Sequence, residues 1–191
     1  MKIAVAHLKS DSFYSQSRYY TTPKLEKESS ADYEKRTWRD RLHVDEDGIV
    51  FIPPMSFKNC LSEAAKFLSM QIQGKGKSTY TKHFEAGVLC VNPVSIGIHK
   101  DDVIPDTVFV PSDGIRGSGK RVEKTFPIIK EWAAKVEFQI LDDTITKDVF
   151  EYHLKQSGRF IGVGRFRPRN NGYYGRFTVE KIDWKDIDDR L

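Results

Sequence analysis

The chain has 191 residues, a formal net charge of +4, and 39% hydrophobic and 30% charged side chains, which leaves room for one well-buried core. That apolar content excludes a disordered polymer, and no apolar run approaches the roughly 18 residues that a membrane span requires. The N-terminal MKIAVAHLKSDSF has an apolar stretch too short for a signal peptide, so a single domain over 1–191 in the cytoplasm, with no membrane partner, is expected.

KIAVAHL (2–8) reads as a buried strand, and the polar, Ser- and Tyr-rich segment 9–48 as an insertion. GIVFIPP (48–54) is a short apolar run closed by two prolines. Beyond it Phe57, Leu61, Ala64, Ala65 and Leu68 recur at helical spacing; Ser56 is the expected cap, since Pro54 cannot continue a helix backwards. GVLCVNPVSIGI (87–98) reads as a strand broken at Pro93. DTVFVPSDG (106–114) reads as a strand ending in a turn, inside a second insertion at 97–132. AAKVEFQIL (133–141) alternates Val136, Phe138 and Ile140 with polar neighbours, the pattern of a half-buried strand. TKDVFEYHLKQSG (146–158) is a helix capped by Thr146, with Gly158 just past its end, and GRFTVEKIDW (175–184) resumes alternation at Phe177, Val179 and Ile182. Cys60 and Cys90 sit in apolar contexts and read as buried thiols rather than a disulfide. Without the insertions the order is strand, helix, strand, strand, helix, strand. This predicts an α+β, ferredoxin-like (RRM-like) βαββαβ antiparallel sheet with two helices on one face and the other face free to bind.

Charge is unevenly spread. Acids concentrate in 25–36, 43–48 and 183–190, whereas QGKGKSTYTKH (73–83), GIRGSGKR (114–121) and GRFIGVGRFRPRNNGYYGRF (158–177) carry bases without acids. The last holds five glycines, five arginines and five aromatic side chains, a composition suited to polyanions, because glycine lets backbone amides approach phosphates while arginine supplies charge. None of the three is a nucleotide loop. GVGRFRP has Arg167 where a dinucleotide fingerprint needs its third glycine. GIRGSGKR has Arg121 in place of the magnesium-binding hydroxyl, with Pro127 where the following helix must continue. GKGKST has Gln71 in place of the first glycine. His7, His99 and His153 lack metal-ligand spacing, so neither metal nor cofactor is expected.

GIVFIPPMSFKNCLSEAAKFL, through Ser56, Lys58 and Leu61, is similar to the strand, IP turn and first helix of one family, and the glycine-arginine stretch closed by GYYGRF is similar to the same family's C-terminal glycine-rich loop. By these two stretches the chain resembles the RAMP superfamily of CRISPR-associated proteins, in particular the subunits that form the backbone of multi-subunit effectors. It departs from them in being short and in having Pro53-Pro54 where a glycine-containing turn is usual. The resemblance implies a non-catalytic protein that holds single-stranded RNA, or DNA, in a groove across the sheet and the insertions. Basic side chains and glycine amides would meet phosphates, and unpaired bases would stack on aromatics.

The candidates for that role are Arg165, Arg167, Arg169 and Arg176, the Gly162 and Gly164 amides, and Tyr173. Arg165, Arg167 and Arg169 alternate, so on a strand they would project to one side and Phe166 to the other. For Tyr173 and Tyr174, base stacking and packing on the core both stand open. Ser17, Arg18, Lys58, Lys82, His83, Arg116 and Arg121 are secondary, with Lys58 favoured by its place in a helix's first turn. A homo-oligomer or filament along the strand, possible other effector subunits, and a phage or mobile-element derivative all belong to this reading. The alternative is a metal-independent endoribonuclease of the guide-processing type with His43 or His83 as general base. Asp32 and Asp45 are loop acids that a target-cutting subunit could use, and nothing in the sequence chooses between them.

Overall fold

Ala4, Ala6 and Leu8 are covered while Ile3, Val5 and His7 stay partly open, so β1 (Lys2–Ser10) turns one face to a core and one to solvent. In chain order there follow β2 (Tyr14–Ser15), α1 (Ser30–Thr37), β3 (Ile49–Ile52), α2 (Pro54–Leu68), α3 (Thr81–Gly87) and β4 (Val88–Leu89). The rest are β5 (Val94–His99), β6 (Ile104–Pro111), β7 (Arg121–Ile129), β8 (Ala133–Ile140), α4 (Lys147–Gln156) and β9 (Phe177–Asp186). The structure is a computed structural model that describes residues 1–115, 117 and 119–186.

Four strands form an antiparallel sheet in the order β4-β8-β1-β9. With α2 following β1 and α4 following β8, this is the ferredoxin-like arrangement expected from the sequence. Phe57, Leu61, Ala64 and Ala65 of α2, with Phe150 and Leu154 of α4, pack on Ala4, Ala6, Leu8, Val136, Phe138 and Ile140. Each large side chain so buried contributes about 1.5–3 kcal/mol. Both cysteines are free and buried; burial pushes each thiol up to about 12.

Several boundaries differ from the sequence reading. The expected strand at 87–98 is two strands in two sheets, β4 beside β8 and β5 beside β3, because the chain leaves the central sheet before Pro93. β7 is a full strand despite Pro127. Pro105 stands directly opposite it on β6, so neither proline is asked for a ladder hydrogen bond. The cap of α2 is Pro53, with Pro54 as its first residue and Ser56 inside the first turn. Thr146 does cap α4, accepting from the Val149 amide at 3.3 Å. Gly158 does not end that helix, since the winding continues as a π-helical turn over Ser157–Ile161. A Cβ at Gly158 would strike the Phe177 carbonyl, so this glycine is a close-approach site rather than a stop.

The two insertions pack on each other. β2 pairs with β7, and β6 and β7 form a long hairpin. Glu34 on α1 is 4% exposed and receives Arg41 Nη2 and Lys124 Nζ, each at 2.8 Å, and the Thr125 amide at 3.3 Å. Burial alone would raise its pKa. The hydrogen bonds from Lys124 and Arg41 outweigh that and hold the carboxyl below its ordinary value.

The open face of the central sheet is charged and mutually paired. His7 stands opposite Lys135 and Lys181, and Val5 opposite Glu137 and Asp183. Asp183 takes His7 Nε2 at 2.7 Å and Lys181 Nζ at 3.2 Å, which hold its carboxyl below the usual range.

Candidate nucleic-acid interface

The glycine-arginine segment 162–176 is a knotted loop, not an extended strand. Phe166 (φ 56°) and Asn171 (φ 58°) are left-handed, and Pro168–Asn170 form a turn of 3-10 helix. The loop ties to itself through Val163 N–H to the Gly175 carbonyl at 2.9 Å and Tyr174 N–H to the Phe166 carbonyl at 3.0 Å. It is also tied to the first insertion, with Arg165 N–H donating to the Ser15 carbonyl at 2.9 Å and Gly175 N–H to the Phe13 carbonyl at 2.6 Å. Gly164 (φ 77°) permits this seam, because a Cβ there would meet Tyr14 and the Ser15 carbonyl. The Gly162 amide is already engaged by the Ser157 carbonyl at 2.9 Å.

This winding separates Arg165 from Arg167 and Arg169, which a strand would have aligned with it. Arg165 lies with its guanidinium 3.4 Å from the centroid of the Phe126 ring, while Arg41 is 4.9 Å from the same ring. Burial lowers the Arg165 pKa, partly offset by Tyr174 and Asp106. Arg167 Nη2 meets Glu63 Oε1 at 3.1 Å, and Arg169 Nε stands 3.7 Å from the other Glu63 oxygen. Arg176 pairs with Asp11 at 2.9 Å and lines a different cleft.

Arg165 and Phe166 line a cleft of about 340 Å³ with Ser17, His43, Asn170 and, from the start of α2, Pro53 and Ser56. The positive end of a 15-residue helix therefore borders the same cleft as Arg165. Gln16 braces the wall: its amide donates to the Phe51 carbonyl at 2.8 Å and the Tyr14 hydroxyl at 3.0 Å, and its oxygen accepts from His43 N–H at 2.6 Å. Burial first, and the charge of Arg18 second, keep the His43 ring below its ordinary pKa, so it is neutral at pH 7.

Phe166, in the cleft lining, belongs to an aromatic cluster. Phe166 lies 5.5 Å from Tyr173 and 5.4 Å from Tyr174, and Phe13 lies 6.0 Å from Tyr174. Tyr173 is 61% exposed and Phe166 39%, whereas Tyr174 is 9% exposed. Of the two tyrosines, Tyr174 packs inward, and Tyr173, against whose ring it stands at 4.8 Å, is the exposed one. Beyond Ser17 the first insertion continues into a second cleft, of about 570 Å³, lined by Arg18 and the highly exposed Tyr19.

Other candidates lie elsewhere. Lys58 is not open at a helix terminus; its ammonium donates to the Phe84 and Glu85 carbonyls, each at 2.9 Å, and to Ser62 Oγ at 2.7 Å, clasping α2 to α3. Lys82 is exposed on α3 beside His83, whose Nδ1 is 2.6 Å from Asp142. Arg121 is exposed at the start of β7, and Arg116 lies outside the described residues. Asp32 and Asp45 serve the local backbone. Asp32 completes the Ser29 cap of α1, and Asp45 accepts the Asp47 and Ile49 amides. Phe126 and Glu63, which hold the arginines, carried no signal in the sequence. Phe13 and Tyr19 could have been flagged, since SFYSQSRYY interleaves aromatics with a base and no acid.

No protein-family model matches the sequence, and no curated protein matches it. Solved structures do share the fold. One chain of the Type III-B Cmr-beta complex bound to cognate target RNA aligns with a TM-score of 0.57 and 12% identity, covering 96% of this chain and 60% of that one. This protein thus spans about three fifths of that subunit's length. Cmr6 from Pyrococcus furiosus (TM-score 0.49, 13% identity, 94% and 99% covered) and a chain of a CRISPR RNA-guided surveillance complex (0.42, 10%, 100% and 71%) also align. The fold expected from the family resemblance is the fold the chain has.

Proposed function

We propose that this protein is a non-catalytic subunit that holds single-stranded RNA as part of a CRISPR effector. The observation that carries this reading is the cleft that Arg165 and the start of α2 line together with Phe166, whose exposed ring packs against the exposed ring of Tyr173. Cations placed on aromatic rings beside free aromatic faces suit a phosphate chain with unpaired bases. The path continues past Ser17 to Arg18 and Tyr19. A fold shared with a chain from a complex bound to target RNA supports the assignment. One domain of this size covers only a few nucleotides, so copies in a head-to-tail row along one strand, or beside other effector subunits, would gain affinity by effective concentration.

Fluorescence anisotropy with labelled single-stranded RNA and DNA, across a salt series, tests the reading. RNA should bind with a negative log–log salt slope and Tyr173→Ala should weaken it severalfold; equal binding of duplex and single strand would overturn it. A second reading, the metal-independent endoribonuclease, is favoured by one observation: His43, held neutral, lines the same cleft as Arg165. RNA cleavage in chelator that disappears in His43→Ala would establish it over simple binding.

A further inference from the structure

A further cleft lies beside Arg176. It holds about 350 Å³ and is built from Lys155 and Gln156 at the end of α4, Arg159 in the π-helical turn, and Arg176, Phe177 and Thr178 where β9 begins. Its lining shares no residue with the cleft around His43 and Arg165. Three cations from three elements converge there, and Asp11 is the one carboxylate in the lining, so the wall carries a formal +2 (three bases less one acid).

The anions already present leave capacity. Asp11 holds Arg176 at 2.9 Å and Glu151, one turn back on α4, holds Lys155 at 2.6 Å. Among the described residues Arg159 has no carboxylate partner; its guanidinium lies 5.2 Å from the Phe160 ring. Bases at the end of a helix are ordinarily explained by the helix dipole, which accounts for Lys155. It does not account for Arg176, which stands just before β9. Of the apolar lining residues, the Phe177 ring is buried against Phe57 and Trp132, and Val179 stays half-buried. A bare phosphate is far smaller than this space, whose volume is at the lower end for organic ligands, roughly 300–1,000 Å³.

We infer that this cleft is a second anion site that takes a nucleotide-sized phosphate ester, with Arg159 on the phosphate, Arg176 beside it and the organic part toward Val179. The ester is either a free nucleotide or one unit of a nucleic-acid strand. Full-length protein labelled with ¹⁵N-arginine separates the two. Adenosine monophosphate should shift the Arg159 and Arg176 Nε–H resonances while adenosine does not, and Arg159→Ala should weaken that binding about tenfold. Arg159 is exposed, so its removal should leave the melting temperature unchanged. If a single-stranded oligoribonucleotide moves those resonances and the mononucleotide does not, the site belongs to a strand and stands. If neither probe moves them, or Arg159→Ala binds both as tightly as the parent protein, there is no such site.

Discussion

The open face of the central sheet and the cleft beside the glycine-arginine loop are both rich in cations, and they differ in what the cations touch. On the sheet, His7 and Lys181 converge on Asp183, and Lys135 lies two residues from Glu137 along the same strand. Beside the cleft, Arg165 rests on the Phe126 ring, and Phe166 and Tyr173, packed on each other, are exposed. A cation satisfied by a carboxylate has little left for a phosphate. One placed on an aromatic face keeps its charge and its outward donors. Counting basic residues would rank the two surfaces together, whereas their partners set them apart.

The largest way to break the comparison is to remove the core that both surfaces share. Leu61 is 1% exposed, so Leu61→Asp should cost roughly 4 kcal/mol or more and abolish cooperative unfolding by circular dichroism. A soluble variant with an unchanged melting temperature would show that α2 is misplaced. Next in size, Lys58→Ala removes three donated hydrogen bonds from a clasp rather than a phosphate contact. Denaturant titration should show about 2 kcal/mol of lost stability, with nucleic-acid affinity of the folded protein within about twofold of the parent.

The comparison is sharpened by mutating each surface in turn. Arg165→Ala should weaken single-stranded RNA about tenfold and flatten the log–log salt slope by about 0.7, whereas Lys135→Ala with Lys181→Ala should change affinity less than about twofold. Adding Arg167→Ala and Arg169→Ala to Arg165→Ala should flatten the slope further by less than one contact each, because Glu63 already engages both.

The smallest effect is a pH dependence that neither surface owns. His153 is fully buried; its Nδ1–H donates to the Val149 carbonyl at 2.7 Å, and its Nε2 is buried with no hydrogen-bond partner. Burial lowers its pKa from 6.5, with the Val149 bond opposing. The unfolded chain therefore binds the proton first. This stability is complete above about pH 6.5 and declines as pH falls below it toward the lower folded value. The midpoint of thermal unfolding should fall across that window, and His153→Phe should reduce the fall.

Periodicity alone determined the central architecture, because a strand or helix that buries one face must repeat its apolar residues at the matching spacing. Val136, Phe138 and Ile140, or Phe57, Leu61 and Ala64, could be assigned without any partner in view. The glycine-arginine segment was legible as a special place for the same local reason, its composition. Its geometry was not. Left-handed turns at Phe166 and Asn171 send consecutive arginines to Phe126, Glu63 and Asp11, residues 39 to 165 positions away in the chain, counted from Arg165 to Phe126 and from Arg176 to Asp11. Lys58 shows the same division. The sequence placed it in the first turn of a helix, where anions are attracted, and the tertiary structure filled its three donors with Ser62 and two carbonyls of α3. Residue type and spacing state what a side chain can bind, and only the packed chain decides which partner reaches it first.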